Sequence, residues 1–470
     1  MDVLYSFFVA IALTVLMFPL LKTYQLENYH IKNYLHRILK FNIAFGDKNH
    51  IKFTKRMLRM IFCVFLLIFI LYILIFCLIK NVYVELALII AGVILLPFLL
   101  VLCHFVILPI EKIIMCYYIS KAKKKLKMMP CRKIAITGSF GKTSTKNVLF
   151  EILKEKYRVC ATPKSYNTPM GICMAILNKL SPLDDFFIVE MGARHKGDIA
   201  FLCNLIGADY GILTPVGKCH IETFKTLNNV EKTKFELCQN VKDFMVINGK
   251  SESNLRLYDK CEKKKYLICK DGSFAYADEI KFIEGKTKFV LHIDDRSILV
   301  STKLLGRANV DNIVVASSLA YLLGVNLLDI KRGIENLSPS PHRLEVIKGY
   351  ATVIDDSYNS NFEGFKQALE VLNSFSGHKI LVTPGMVELG TMQYKLNHDI
   401  ALEIARVCDK VIIMNKVNKK AIVDGLCKAN FNMKNVIFAT TRKEQTEILK
   451  SVITKESVVL FENDLPDNYK

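Results

Sequence analysis

RKIAITGSFGKTS, residues 132–144, is the stretch that decides the fold of most of this 470-residue chain. It predicts a short buried strand over 132–137, then a turn containing glycines, then a helix that runs to about Lys156. Glycines let backbone N–H groups approach phosphate oxygens, and a Lys-Thr pair at a helix start adds positive charge and a hydroxyl for Mg²⁺. Ile136 stands where a full Walker motif has its first glycine. The position between a strand and a helix nevertheless favours a phosphate loop over a plain turn.

Downstream of this loop, short apolar runs alternate with amphipathic helical stretches. Such alternation predicts α/β units with largely parallel sheets. The segment 250–305 is instead typical of strands joined by hairpins. The other predicted strands are 186–190, 210–214, 244–247, 351–354, 379–383 and 410–414.

Upstream of the loop, apolar residues are concentrated. The whole chain is 51% hydrophobic with a mean hydropathy of +0.27, although 23% of its residues are charged. This content excludes a disordered chain and indicates an apolar region in an otherwise ordinary protein. Residues 3–21, 60–79 and 82–110 are each long enough to cross ~30 Å of hydrocarbon at ~1.5 Å per residue. The first run has neither a basic start nor a small-residue cleavage site, so a membrane span is favoured over a signal peptide.

The charge distribution predicts how these spans are oriented. Residues 1–133 carry 18 Lys and Arg against 5 Asp and Glu, and the basic residues cluster in 22–59 and after Ile110. The positive-inside rule therefore puts the N-terminus outside and everything after Ile110 in the cytoplasm. The basic cluster at 121–127 would bind anionic lipid head groups or simply be a solvated flank, and no nucleic-acid partner is expected. Fourteen cysteines without a C-x-x-C pair argue against a zinc ribbon and fit the reducing cytosol.

Seven blocks, in order along the chain, resemble the Mur ligases, the ATP-dependent peptide-bond-forming enzymes of peptidoglycan synthesis. The last block, IDDSYNSNFEG at 354–364, together with GMVELG at 385–390 and His398, is most similar to the members that add D-alanyl-D-alanine. The blocks are TGSFGKTS (137–144), SYNTPMGI (165–172), VEMGARHKGDI (189–199), HIETFKTLNNVEKTKFEL (220–237), GRANVDN (306–312), HRLEVI (342–347) and IDDSYNSNFEG (354–364).

The apolar runs predict an α-helical membrane anchor, and the resemblance implies that an α/β protein follows it. Residues 1–130 would hold three membrane helices, 131–337 a P-loop central ATP-binding domain, and 338–470 a smaller Rossmann-like domain. The linker SPSPHR, residues 338–343, would be the hinge between the last two. The implied location is the bacterial cytoplasmic membrane, crossed several times, with the catalytic domains in the cytosol.

The resemblance also implies a site that uses ATP and two Mg²⁺ ions, with Lys234 carbamylated. Simpler interpretations remain open at this point: Glu190 as a surface ion-pair residue, His220 as a packed residue, and Lys234 as a solvated helix lysine. The implied catalytic residues are Lys142, Lys234 and Arg343; the ATP contacts are Gly138, Ser139, Phe140, Gly141, Lys142, Thr143, Ser144, Asn309, Arg343, Asp356, Tyr358 and Asn359; the substrate contacts are Ser165, Asn167 and Thr168; the metal ligands are Thr143, Glu190, His220 and Lys234.

The implied activity is an ADP-forming ligase that adds D-alanyl-D-alanine to a muramyl tripeptide carried on UDP, working as a monomer at membrane lipid. Two alternatives remain: a relative that acts on a lipid-linked or other cell-wall precursor, and a non-catalytic ATP-binding membrane scaffold. This chain departs from the family pattern in three places. Membrane spans occupy the place of the amino-terminal domain that grips the UDP-sugar, Ala308 replaces a family histidine, and the Lys-Gly-Ser segment near the C-terminus is not visible.

Overall fold

The computed structural model describes residues 2–27, 29–41, 43–44, 51–79, 81–164, 166–217, 221–283, 285–357, 361–387 and 389–464. The chain divides into two compact units, 1–120 and 121–470.

The first unit is helical. Its interior is built from apolar and aromatic side chains such as Leu13, Met17, Tyr24, Val64 and Leu100, all at most 3% exposed. Many large apolar side chains on the same helices face outward instead, as expected for surfaces that contact hydrocarbon rather than water. The helices are α1 Asp2–Leu16, α2 Phe18–Leu26, α3 Ile31–Leu39, α4 Lys55–Leu78 and α5 Val82–Lys127.

Two of these helices, α4 and α5, are long and apolar enough to cross a membrane, and the pair α1 and α2 qualifies as a third only if it is counted as one span bent by 41°. The apolar run predicted as the first span, residues 3–21, is therefore bent rather than one straight helix. It breaks at Met17, and Pro19, which has no N–H to donate, lies in the first turn of α2. The third run does not end at Ile110 but continues as helix to Lys127, because the residues beyond it are mostly good helix formers.

In the second unit, nine of the described strands form one sheet in the order β2-β3-β1-β4-β5-β6-β7-β8-β9. Pairing is parallel as far as β7 and antiparallel across β7, β8 and β9, which confirms both the parallel sheet and the hairpin region. The strands are β1 Arg132–Thr137, β2 Val159–Ala161, β3 Phe186–Glu190, β4 Tyr210–Leu213, β5 Phe244–Asn248, β6 Lys264–Ile268, β7 Ala275–Ile283, β8 Lys286–Ile293 and β9 Arg296–Thr302.

Helices cover this sheet. Side chains of α6, α12 and α13 form one core with the strands, in which Ile134, Leu149 and Val314 are fully buried. Helices α8 and α10 pack against each other and against β1. The helices are α6 Lys142–Leu153, α7 Pro169–Asn178, α8 Asp198–Ile206, α9 Ile221–Phe224, α10 Leu227–Asn240, α11 Glu252–Lys260, α12 Arg307–Leu322 and α13 Leu327–Glu335.

The C-terminal part contains a six-stranded sheet in the order β10-β11-β15-β12-β13-β14, parallel except for β10 against β11. Neighbouring residues of β12 face opposite cores: Leu381 packs with α14, α15 and α16, while Ile380 packs with α17. Helices on both faces make this an α/β sandwich. Its elements are β10 Glu345–Lys348, β11 Thr352–Asp356, α14 Phe362–Asn373, β12 His378–Thr383, α15 Gln393–Val407, β13 Lys410–Met414, α16 Lys419–Lys428, β14 Val436–Ala439, α17 Arg442–Val452, β15 Ser457–Glu462 and the 3₁₀ turns Gly390–Met392 and Met433–Asn435.

Candidate active site

The loops that follow β1, β2, β3 and β4 meet at one edge of the larger sheet, because the carboxyl ends of parallel strands lie together. Backbone hydrogen bonds continue past the strand ends: Met191 N donates to Ile136 O at 2.8 Å, and Thr214 N donates to Thr137 O at 2.9 Å. This edge holds the predicted phosphate loop and Glu190.

Two glycines give the loop its shape. Gly138 and Gly141 have φ of 151° and 78°, and Gly141 is the N-cap of α6. A Cβ on Gly138 would lie 2.0 Å from Thr214 Oγ1, and one on Gly141 would lie 2.5 Å from Asn312 Oδ1. Both positions therefore require glycine, for close packing as well as for backbone conformation.

The hydrogen-bond donors of the phosphate loop bind carbonyl oxygens of the protein itself. Ser139 N and Phe140 N both donate to Pro215 O, at 2.9 and 3.2 Å. The Lys142 ammonium donates to Gly138 O at 2.9 Å and to Ser139 O at 3.0 Å. Positive charge thus lies at the loop itself, where the sequence predicts a phosphate.

Glu190 is the centre of a buried polar cluster. The residue is 1% exposed, which contradicts its interpretation as a surface ion-pair residue. Thr143 Oγ1 donates to Glu190 Oε2 at 2.8 Å, and Asn167 Nδ2 donates to Glu190 Oε1 at 3.1 Å. One metal-ligand pair and one substrate residue predicted from the sequence are therefore brought together.

Lys146 is a member of this cluster that sequence reasoning missed. Its Nζ lies 3.5 Å from Glu190 Oε2, both side chains are 2% exposed, and it donates to the carbonyl of Lys164. Burial lowers the pKa of Lys146, and the charge of Glu190 opposes that shift. A signal was present: Lys146 shares a helix face with the buried Leu149 and Leu153.

The hydroxyl of Thr143 and the carboxylate of Glu190 suit Mg²⁺, which prefers oxygen ligands and keeps several waters or phosphate oxygens. Across the residues that the structure describes, no group of three or more His, Cys, Asp and Glu side chains could hold a metal alone. A site completed by water and phosphate is compatible with this arrangement. His220, a predicted ligand of the second metal site, lies outside the described residues.

Lys234 lies in α10 and is only 3% exposed, so the solvated-helix interpretation is wrong. The helix is anchored by Glu236, whose carboxylate accepts from Gly197 N at 2.7 Å and Ala200 N at 3.0 Å at the start of α8. A negative side chain at a helix N-terminus is a favourable arrangement. Carbamylation of Lys234 stays a prediction.

A cleft of ≈ 440 Å³ lies beside the loop and joins residues far apart in sequence. Ser144 and Asn147 of α6, Asn309 of α12 and Arg343 after the linker all line it. Asn309 Nδ2 donates to Leu305 O at 2.7 Å, which fixes its amide. The structure thus brings three of the predicted nucleotide contacts to one cleft, although their contact with adenine or phosphate stays a prediction.

Asp356 ends β11, and its Oδ1 accepts from Leu344 N at 3.1 Å. Burial raises the pKa of Asp356 to about 6, against the lowering effects of that N–H and of the Arg343 charge. Tyr358, Asn359 and Ser165 lie outside the described residues. Thr168 caps α7 by accepting from Gly171 N at 3.3 Å, a structural role that leaves its predicted substrate contact open.

Two contacts join the two halves of the second unit. Arg307 Nε lies 2.9 and 3.2 Å from the two carboxylate oxygens of Glu370, a bidentate ion pair. Ala308 N donates to Gln367 Oε1 at 2.9 Å. At the position where the family has a histidine, this chain therefore uses its backbone.

Fold and site define an α/β protein in which a glycine loop, a buried carboxylate and a cleft lie at one sheet edge. Residues 136–320 match the model of the Mur ligase middle domain, and 342–462 match that of the Mur ligase, glutamate ligase domain. The chain belongs to the Mur ligase family.

Similar proteins include a UDP-N-acetylmuramoyl-tripeptide–D-alanyl-D-alanine ligase of Buchnera aphidicola, 32% identical over 55% of this chain and 58% of that protein. The Bacillus subtilis enzyme of the same name is 27% identical over 72% of this chain and 74% of that protein. The chain thus spans about three fifths of the first relative and three quarters of the second.

Among solved structures, the MurF ligase of Thermotoga maritima in complex with ADP is 25% identical, with a TM-score of 0.65 over 74% of this chain and 80% of that one. A pseudomurein peptide ligase type C from Methanothermus fervidus has a TM-score of 0.57 over 73% of this chain and 78% of that one at 19% identity, a likeness of fold alone.

Proposed function

We propose that this chain is an ATP-dependent, ADP-forming ligase that joins D-alanyl-D-alanine to the peptide of UDP-N-acetylmuramoyl-tripeptide in peptidoglycan precursor synthesis. The observation that carries the proposal is the buried contact of Thr143 with Glu190 beside the Lys142 loop. The names of the relatives support the choice of substrates.

In the proposed reaction, a substrate carboxylate oxygen attacks the γ-phosphorus of ATP and ADP leaves. The amine of D-alanyl-D-alanine then attacks the acyl carbon, inorganic phosphate leaves, and the amine loses a proton. Lys142 and Arg343 would stabilise charge on the transferring phosphoryl group, since fixed cations act there without reorganisation. Asn309, Asp356, Tyr358 and Asn359 would contact the nucleotide.

Thr143 and Glu190 would hold one Mg²⁺, and His220 with carbamylated Lys234 a second. Bound Mg²⁺ supplies charge neutralisation on phosphate oxygens. Ser165, Asn167 and Thr168 would face the acceptor substrate. Asn167 supports this role, because its side chain is already fixed on Glu190.

The test is ATP-dependent coupling of D-alanyl-D-alanine to UDP-muramyl-tripeptide by the purified full chain, followed by mass spectrometry of the product and by ADP release. A dipeptide-dependent increase in ADP release together with the pentapeptide product is expected. ATP binding with neither product nor dipeptide-stimulated ADP release would favour the scaffold alternative.

The apolar helices of the first unit favour a second candidate substrate, the same peptide carried on a lipid. The assay therefore has two arms, UDP-linked and lipid-linked acceptor, each at matched concentration in detergent. Preference for the lipid-linked arm would replace the UDP-linked substrate and leave the ligase chemistry unchanged.

We also propose that α1 with α2, α4 and α5 anchor the chain in the bacterial cytoplasmic membrane. The outward-facing apolar side chains on these helices support the anchor. In the proposed topology, Asn81 between α4 and α5 lies outside and the exposed Cys427 lies in the cytosol. In a Cys77→Ala background, which removes the exposed thiol at the same end of α4, an impermeant maleimide applied to intact cells is expected to label the Asn81→Cys variant and to leave the chain that keeps Asn81, with Cys427, unlabelled until lysis. Equal labelling of both chains before lysis would reject this topology.

A further inference from the structure

The buried lysine of α6 occupies a place between two parts of the site. Lys146 Nζ lies 3.5 Å from Glu190 Oε2 and donates to the carbonyl of Lys164, in the loop that follows β2. We propose that Lys146 is a positioning residue that fixes the metal-site carboxylate Glu190 to the acceptor-side loop, which the structure describes at residues 162–164 and 166–168. The inference rests on the proposed function for the identity of the substrates.

The geometry closes a ring of contacts around Glu190. Lys146 links the carboxylate to the loop at Lys164, and Asn167 Nδ2 returns from the loop to Glu190 Oε1 at 3.1 Å. Gly192 N then donates to Asn167 O at 2.9 Å, so the loop is also bound to the chain just after β3. The three contacts leave the loop little freedom to move without moving Glu190.

The loop needs such a restraint. Lys164 has φ of 47°, a left-handed conformation that is unfavourable for a residue with a Cβ. An outside contact on its carbonyl helps to hold that conformation in place. A donation from Lys146 to this carbonyl is such a contact.

The chemistry of the side chain suits this role. A buried carboxylate needs a compensating charge, and an ammonium has three donors to divide between a carboxylate and a carbonyl. Lys142, one turn earlier in α6, donates instead to the phosphate loop. Helix α6 thus carries two lysines with different roles. Lys142 contacts the phosphate loop, and Lys146 links the Glu190 carboxylate to the acceptor-side loop.

The test compares Lys146→Met, which keeps the length and removes the charge, with Lys146→Arg, which keeps the charge. Lys242→Met is the matched control, because Lys242 forms its ion pair with Asp209 at 3.1 Å while 63% exposed. Hydrogen–deuterium exchange is measured on the full chain in detergent, and initial rates are measured in parallel.

Lys146→Met is expected to speed exchange of residues 162–168 and of the Gly192 amide by about tenfold or more, whereas β13 in the other half keeps its protection. The KM for the muramyl-peptide acceptor should rise by about 10–100-fold, the usual cost of losing a residue that orients a metal-site ligand. Lys146→Arg should recover part of both effects, and Lys242→Met should show neither.

Unchanged exchange in 162–168, or a uniform increase that includes β13, would overturn the inference and leave Lys146 with a role in general stability only. Failure of the proposed function has a different signature: the wild-type chain itself would not turn over. The exchange measurement needs no substrate and therefore judges Lys146 in either case.

Discussion

Two strand-end carboxylates, one in each half of the second unit, are treated in opposite ways. Glu190 ends β3 and is 1% exposed, and Asp356 ends β11 and is half-buried. Glu190 is surrounded by a lysine, a hydroxyl and an amide, which all lie within ion-pair or hydrogen-bond distance of its carboxylate. Asp356 faces a second carboxyl group, Glu462, across the sheet, and burial raises its pKa to about 6.

The two carboxyl groups differ because the neighbouring segments give them different hydrogen-bond and ion-pair partners. A strand end delivers a carboxyl group to the edge of the sheet in both cases. The partners of Glu190 come from α6 and from the loop after β2, whereas the Asp356 carboxylate accepts from the backbone N–H of Leu344. The first position suits an oxygen ligand that its partners hold in place, and the second suits a carboxyl group whose pKa burial raises towards neutrality.

The largest effect is expected from removing the charge of Glu190. Glu190→Gln should lower turnover by a factor on the order of 10³ or more, because Thr143 loses its metal-site partner. It should also lower the free energy of unfolding by about 3–5 kcal/mol, since Lys146 keeps a buried charge without its carboxylate. Turnover and denaturant unfolding are measured on the same preparations.

Glu252→Gln is the control, because the Glu252 side chain is 94% exposed and should contribute less than about 1 kcal/mol. The double variant Glu190→Gln, Lys146→Met sharpens the comparison: it should recover part of the stability and none of the activity. A stable Glu190→Gln protein would show that the charge pair does not matter to the fold.

Lys142→Ala is expected to separate activity from stability. The Lys142 ammonium donates to the carbonyl oxygens of Gly138 and Ser139 in a partly exposed loop, so the fold should persist without it. Turnover should fall by about 10²–10³-fold, the usual cost of losing one donor to a developing charge. Steady-state rates measure the loss of turnover, and thermal unfolding checks that the fold persists. Lys242→Ala is the control for both measurements. Activity within threefold of wild type contradicts a phosphate role for Lys142.

Lys234→Ala tests the other half of the predicted metal site. A neutral lysine amine must add CO₂ to form a carbamate, yet the ordinary pKa of about 10.4 leaves little neutral amine at pH 7 unless metal traps the product. The substitution should remove most activity, and a short carboxylic acid in the medium should restore part of it. Lys234→Arg should stay inactive. An Arg variant as fast as wild type would require another ligand for the second ion.

The smallest expected effect concerns Asp356. Because its folded-state pKa is raised from 3.8 to about 6, the folded protein holds this proton more tightly than the unfolded chain. The stabilising contribution is therefore complete below about pH 4, is lost as pH rises to about 6, and is absent above, a change of at most about 3 kcal/mol. Wild type should lose that stability relative to Asp356→Asn between pH 4 and 7. If the stability of Asp356→Asn falls with pH in the same way as that of wild type, then Glu462, not Asp356, holds the proton.

The sequence was most informative where local pattern and chemistry coincide. The strands around the sheet edge were predicted because they are continuously apolar, and Glu190 was predicted from its place after one of them. The three-residue strand β2 was missed, since so short a run has no periodicity to detect. The break at Met17 was missed because apolar composition alone does not show a bend, although Pro19 marked it.

The partners of the site residues were harder to predict than the residues themselves. Lys146 looks like an ordinary helix lysine until α6 is packed, and only packing makes it a buried partner of Glu190. The burial that raises the pKa of Asp356 likewise arises only when the folded chain packs around the end of β11. Both depend on long-range pairing, which a single sequence does not display.

The inward-turned glycine loop bears on how the protein would tell a nucleotide from bare inorganic phosphate. Ser139 N and Phe140 N already donate to Pro215 O, and Lys142 donates to two loop carbonyls. A lone phosphate ion could only exchange these hydrogen bonds for others, a swap with little net gain. A nucleotide would also fill the neighbouring cleft of ≈ 440 Å³ and gain contacts that the ion cannot make. The resting loop would thus screen out the phosphate released at each proposed turnover, so we expect weak product inhibition by that ion.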